Sequence, residues 1–143
     1  RSMSAEENKA LIRRLYEEVW NQHNPEAADE FVAPDVFTRD MVPEHQHGID
    51  GYKHLVRWMH TAIPDLRYDT EDIIAEGDKV VTRFTARGTH QGETEDFGPP
   101  TGNRVEVTGI TVEQFPDGKI VEDWTNFDAL GLMQQLGLVP EQQ

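Results

Sequence analysis

Asp128 is the residue whose type and position could do chemistry most directly. It stands where a strand-like run ending in Trp124-Thr125-Asn126-Phe127 gives way to an apolar stretch over residues 130–136. A carboxylate there has two readings. It can cap the following helix, which is worth about 1 kcal/mol. It can instead point into a cavity enclosed by the sheet, where loss of water raises its pKa and lets it take and return a proton near neutrality. Trp124 and Phe127 would then supply an apolar wall. A capping box is incomplete, because Gly131 stands where Glu or Gln would close it.

His90, at the end of Gly88-Thr89-His90, is either a second proton carrier or a rim histidine bonded to the long loop that follows. Tyr16 and Trp20 lie on the apolar stripe of the first helix, where aromatics usually pack in the core; the Tyr16 hydroxyl could still reach a cavity. His45, His47, His54 and His60 invite a metal reading. Their spacing is loose, and residues six apart do not share a helical face, so no metal site is expected.

Several elements must position these groups. Residues 4–21 carry Leu11, Ile12, Leu15, Tyr16, Val19 and Trp20 on one stripe, and Ser4 with Glu7 forms a capping box. A short helix follows from Pro25, and residues 36–39 read as a brief strand. A polar loop over residues 40–50 precedes a third helix over residues 51–63. From Leu66 the period becomes two. Strands are expected over 66–75, 79–89, 104–115 and 119–127, with Gly109 a possible bulge and a Gly/Pro-rich loop over 90–103. Helices beside an antiparallel meander make an α+β domain, here a cone of curved sheet around the first helix.

Length bounds the chain to one domain over residues 1–143, with Arg1-Ser2 ahead of Met3 reading as a tag remnant. The absence of cysteine excludes disulfides and thiolate chemistry. A net charge of −14 argues against nucleic acid, and no apolar run is long enough for a membrane span. A cytoplasmic protein is the default, and the acidic excess suits a chain kept hydrated at high salt.

The motifs that carry a resemblance run nearly the whole chain: Asn8 and Tyr16 to Trp20, Gly48 to Gly51, and Ile63-Pro64-Asp65-Leu66. They go on through Glu76-Gly77-Asp78, Gly88-Thr89-His90, Pro100-Thr101-Gly102 and Asp117-Gly118-Lys119-Ile120. The last are Glu122, Trp124, Asp128 and Gln135-Leu136-Gly137. In this order they resemble the SnoaL-like polyketide cyclase family of the NTF2-like superfamily. The resemblance implies a cone with a pocket and a homodimer packed through the sheets. It also implies a pocket aspartate that moves a proton during intramolecular aldol ring closure, without metal or cofactor. Asp128, in Trp124-x-x-x-Asp128, matches that aspartate. The family's histidine fourteen residues earlier is replaced by Gln114, which can bind an oxygen but cannot shuttle a proton.

The expectation is therefore an NTF2-like cone acting on a small apolar or aromatic carbonyl compound. Asp128 and His90 would carry protons, and Trp124, Gln114, Tyr16, Trp20 and Phe127 would hold the substrate. An isomerase or hydrolase on the same pocket, and a non-catalytic domain for small-molecule binding or dimerisation, are the alternatives.

Overall fold

The amphipathic stripe over residues 4–21 forms a single helical run in two geometries. In the computed structural model, which describes residues 3–39 and 42–140, α1 spans Ala5–Leu15 and continues as a π-helical segment, Tyr16–Asn21. The capping box forms as expected: the Glu7 N–H donates to Ser4 Oγ at 3.1 Å, and the Ser4 N–H to Glu7 Oε1 at 3.0 Å. The wider π turn, with the Gln22 N–H bonded to the Glu17 carbonyl, keeps Tyr16 and Trp20 on one buried side. Arg1 and Ser2, read as a tag remnant, and Asp40, the first residue of the polar loop, lie outside the described residues.

A 3-10 turn at Pro25–Glu30 leads into β1 (Val32–Arg39). This strand begins four residues before the expected one and passes through Pro34. It is an edge strand with an irregular register between Val32 and Phe37, so a missing N–H is tolerated. A second 3-10 turn, Pro43–His45, precedes α2 (Gly48–Ala62), which starts one turn earlier than its apolar stripe suggests. Then come β2 (Arg67–Glu76), β3 (Lys79–Thr89), β4 (Arg104–Gln114), β5 (Ile120–Phe127) and α3 (Ala129–Gln135).

The five strands are ordered β1-β5-β4-β3-β2. The expected meander, β2 to β5, is antiparallel throughout; β1, for which the sequence set no partner, joins it parallel to β5, since the crossover through α2 and the meander returns β5 in the same sense. Helices cover the concave face, and the core joins Ile12, Leu15 and Val19 of α1 and its continuation to Val56 of α2 and Val80 and Phe84 of β3. The result is an α+β fold of the expected NTF2-like type. Among the described residues, no helix is long and apolar enough to cross a membrane.

Register decides what faces the concave side. The β3–β4 and β4–β5 ladders run without interruption through Gly109, which pairs with Phe84 and Phe127, so the suspected bulge is absent. Gly109 serves another purpose. A Cβ there would come within 2.5 Å of the Phe84 ring and 2.9 Å of the Asn126 carbonyl, so its absence lets Phe84 lie across the sheet. The one irregularity in the β2–β3 ladder falls at Glu71, between Thr70 and Asp72.

Candidate active site

Successive cross-strand rows, three of them reaching β5, line the concave face. Phe84, Gly109 and Phe127 form one, and Thr82, Thr111 and Thr125 the next. The third reads Val80, Glu113, Asp123 and Thr38 across β3, β4, β5 and β1. Two carboxyl groups thus stand side by side on neighbouring strands, facing the helices. They border a cavity of about 460 Å³ whose walls come from Tyr16, Trp20, Tyr52, Trp58, Tyr68 and Phe97, among others. Among the described residues no Lys or Arg lines it.

Both carboxyl groups are buried, Glu113 at 2% exposure and Asp123 at 4%. One oxygen of each, Glu113 Oε1 and Asp123 Oδ1, has no hydrogen-bond partner. Burial pushes the Asp123 carboxyl up to about 7, with the neighbouring Glu122 charge adding to the effect. Burial pushes Glu113 well above the carboxylate range, assisted by the Asp123 charge and opposed by a hydrogen bond from Tyr16. Two acids side by side cannot both ionise cheaply, so near neutral pH the pair holds at least one proton.

The helices supply the phenols. The Tyr16 hydroxyl is held between Glu113 and Thr111, and its pKa is raised by burial and then by the Glu113 charge. Trp20 Nε1–H donates to the Tyr52 hydroxyl at 3.1 Å, and Tyr52 is raised by burial and by both carboxyls. Tyr68 packs between Tyr16 and Phe84, with ring centroids 5.5 and 5.1 Å away. Asn21 pins it by bonding both sides of the Tyr68 backbone, at 2.8 and 3.1 Å. A neutral donor pair, Tyr16 with protonated Glu113, thus stands beside a carboxyl poised to ionise near pH 7. That combination can polarise a carbonyl oxygen and remove a proton from the adjacent carbon.

The structure sorts the expected residues into three groups. Tyr16, Trp20 and Phe127 line the cavity. Trp124 and Gln114 lie on the outer face of the sheet; the Lys79 ammonium sits 5.9 Å from the Trp124 ring, and Gln114 Nε2 donates to Asp78 at 3.4 Å. Their expected place in the pocket is corrected by parity: their chain neighbours Glu113 and Asp123, paired with each other, face inward, so Gln114 and Trp124 face outward.

Asp128 and His90 lie outside the cavity wall. Asp128 is exposed and caps α3, accepting the Gly131 N–H at 2.9 Å. Gly131, which leaves the capping box incomplete, makes room for this cap, since a Cβ there would overlap the Asp128 carboxylate. Asp128→Ala is accordingly expected to cost about 1 kcal/mol in thermal or urea unfolding while leaving ligand affinity of the cavity unchanged. His90 is fully buried beneath the 90–103 loop. Its Nδ1 accepts the Thr101 N–H at 3.3 Å and lies 3.1 Å from Thr101 Oγ1. Its backbone bonds Asn103 and Gly102, so it fastens the loop.

Glu113, Asp123 and Tyr52 were missed by sequence reading. One signal was available. On β4, Glu113 shares parity with Val105, Val107 and Thr111, a charged residue on an otherwise apolar face. Of the four histidines near α2, His45 and His54 meet, with ring centroids 4.7 Å apart, but among the described residues no group of three or more His, Asp or Glu could hold a metal ion.

This fold and site can be set beside known proteins. The SnoaL-like polyketide cyclase family matches the chain over residues 10–136. The chain belongs to that family. Among solved structures, this family member is similar to a candidate polyketide cyclase from Acidithiobacillus ferrooxidans, at 30% identity over 95% of this chain and 99% of that one, with a TM-score of 0.82. It is also similar to TsrD from Streptomyces laurentii, at 27% identity over 96% and 99% of the chains, TM-score 0.86. AclR from Streptomyces galilaeus, a candidate hydroxylase, is 30% identical over 98% and 87%, with a TM-score of 0.83. Comparison with curated proteins returns no match. The SnoaL-like chain therefore has its relatives' fold, and those relatives include both a candidate cyclase and a candidate hydroxylase.

Proposed function

We propose that the protein is a cyclase-type enzyme that closes a ring by intramolecular aldol addition on a small apolar or aromatic carbonyl compound, with Asp123 as its acid/base. The observation that carries this reading is the buried Glu113–Asp123 pair across β4 and β5, inside a cavity walled mainly by aromatic and aliphatic side chains. Asp123 takes the role that sequence reading gave to Asp128.

The ionised Asp123 removes a proton from the carbon beside a carbonyl. The resulting enolate oxygen is held by the Tyr16 hydroxyl and the protonated Glu113. The enolate carbon then bonds to a second carbonyl carbon, and the new alkoxide takes back the proton that Asp123 holds. No group beyond these side chains is needed to balance the step. Glu113 has to remain protonated while Asp123 ionises, and the deeper burial of Glu113 supports that order.

The same residues serve an isomerase if the proton returns to a different carbon. Incubation with aromatic polyketones, followed by mass spectrometry and NMR, separates the two. An aldol closure gives a product of unchanged mass with one carbonyl lost and a new carbinol carbon. An isomerase keeps its carbonyl count, and no conversion of any compound that binds would leave a binding protein.

The proposed partner is a second copy of the chain. Ile74, Val81, Val112 and Trp124 form one apolar row across the outer face of β2, β3, β4 and β5, with Ile74 63% exposed. Such a row on an open sheet suits self-association. Trp124→Glu is expected to convert a dimer into a monomer by sedimentation velocity; a wild type that sediments as a monomer removes this proposal.

A further inference from the structure

The cavity has a second set of unpartnered polar atoms besides those of the carboxyl pair. His45 is 2% exposed, lines the cavity, and has no hydrogen-bond partner for Nδ1. Trp58 of α2 also lines the cavity, and its buried Nε1–H is equally unpartnered. Their ring centroids are 5.5 Å apart. Buried polar groups are nearly always bonded, and each orphan costs about 1–3 kcal/mol. Two adjacent orphans on one cavity wall mark a place where a ligand completes the bonding.

The wall is built to hold them still. Thr38 N–H donates to the Gln46 carbonyl at 2.8 Å, and His45 N–H donates to the Val42 carbonyl at 2.9 Å. Gly51 lets the first turn of α2 close on the same segment, where a Cβ would stand 3.2 Å from the His45 carbonyl oxygen. Trp58 is braced by Phe97 of the 90–103 loop, with ring centroids 5.1 Å apart.

We infer that His45 and Trp58 form a second subsite that binds a neutral hydrogen-bond acceptor, a ketone, ester or quinone oxygen other than the one that meets the carboxyl pair. The ligand group must accept, because an indole N–H can only donate. It is neutral because Asp96 lines the same wall and would repel a carboxylate. His45 offers no fixed positive charge in compensation, since burial and the adjacent His54 hold its pKa down against the pull of Glu44 and Asp96. The inference deepens the proposed function and rests on the same cavity being the ligand site. It narrows the substrate to a flat apolar body bearing two acceptor oxygens.

The test compares 2,6-diacetylnaphthalene with 2-acetyl-6-ethylnaphthalene, which differ in one acceptor oxygen. The diketone is expected to bind the wild type about tenfold more tightly by calorimetry. In the ¹⁵N spectrum it shifts the indole N–H of Trp58, which the ethyl ketone leaves in place. Trp58→Phe keeps a ring against Phe97 and deletes the donor together with part of the indole. It and His45→Phe should each erase most of the preference with little change in affinity for the ethyl ketone. Equal affinity of the two ligands for the wild type, or a preference that survives both substitutions, overturns the subsite. Asp123→Asn separates the two readings, because the subsite predicts an undiminished preference in that variant, whether or not the wild type proves to transfer protons.

Discussion

Asp123→Asn is expected to slow enolisation of a bound ketone by roughly 10²–10⁴-fold, the usual contribution of a general base. The assay needs no natural substrate. Loss of the methyl proton signal of 2-acetylnaphthalene in D2O reports proton removal directly, with the uncatalysed rate subtracted. Asn preserves the shape of the side chain and removes the group that accepts the proton. A variant that exchanges as fast as the wild type would remove Asp123 from the proposed mechanism.

The same substitution has a stability signature of opposite sign. The folded-state pKa of Asp123 is raised from 3.8 to about 7, so the native protein retains a proton that the unfolded chain has lost between those values. Stability from this group is fully present below about pH 4 and is lost as pH rises toward 7. At ~1.4 kcal/mol per pH unit the loss amounts to about 4 kcal/mol. His60 works the other way. Burial and its stacked neighbour His23, 3.8 Å away between ring centroids, lower it from 6.5 to about 4. Its contribution is present above pH 6.5 and is lost as pH falls through 4. Wild-type stability therefore combines opposed slopes, and the difference between wild type and Asp123→Asn cancels the His60 contribution and leaves that of Asp123 with the part of the Glu113 shift that its charge supplies. Urea unfolding should show near-equal stability at pH 4 and a more stable variant at pH 8. A variant less stable than the wild type at pH 8 contradicts the raised pKa.

Gly92→Ala is expected to destabilise the protein by about 3 kcal/mol or more, the class of effect seen when backbone atoms must separate. A Cβ at Gly92 would overlap the carbonyl of Thr61, and no side-chain rotation relieves a clash between backbones. The Gly92 N–H also donates to the Ala62 carbonyl at 3.1 Å, so the loop that carries Asp96 and Phe97 to the cavity is anchored to the end of α2 at this point. Hydrogen exchange should show residues 91–103 losing protection before the sheet does. By contrast, Gly77→Ala meets no atom within 4 Å and carries only the cost of its positive φ of 60°. A Gly92→Ala protein as stable as Gly77→Ala would mean that the close approach is not maintained in solution.

The sequence alone determined the element types and most of their limits, because periodicity and caps are local. The stripe from Leu11 to Trp20, the Ser4–Glu7 box and the strand over residues 79–89 needed only neighbours three, four or two positions away. It also determined that Tyr16 and Trp20 lie on the buried side of their helix. Only the tertiary structure decided which carboxylate meets the cavity. Facing on a strand alternates with every residue, so a single shift at Gly109 or in the turn at Asp117-Gly118 exchanges Glu113 for Gln114 and Asp123 for Trp124. That shift depends on contacts far along the chain: the room that Gly109 leaves for Phe84, and the pairing of β5 with β1 across some eighty-five residues. Asp128, conspicuous in sequence at the strand-to-helix junction, is drawn into the local bond that the junction offers. Asp123 is placed by the sheet, where burial gives it a proton to hold.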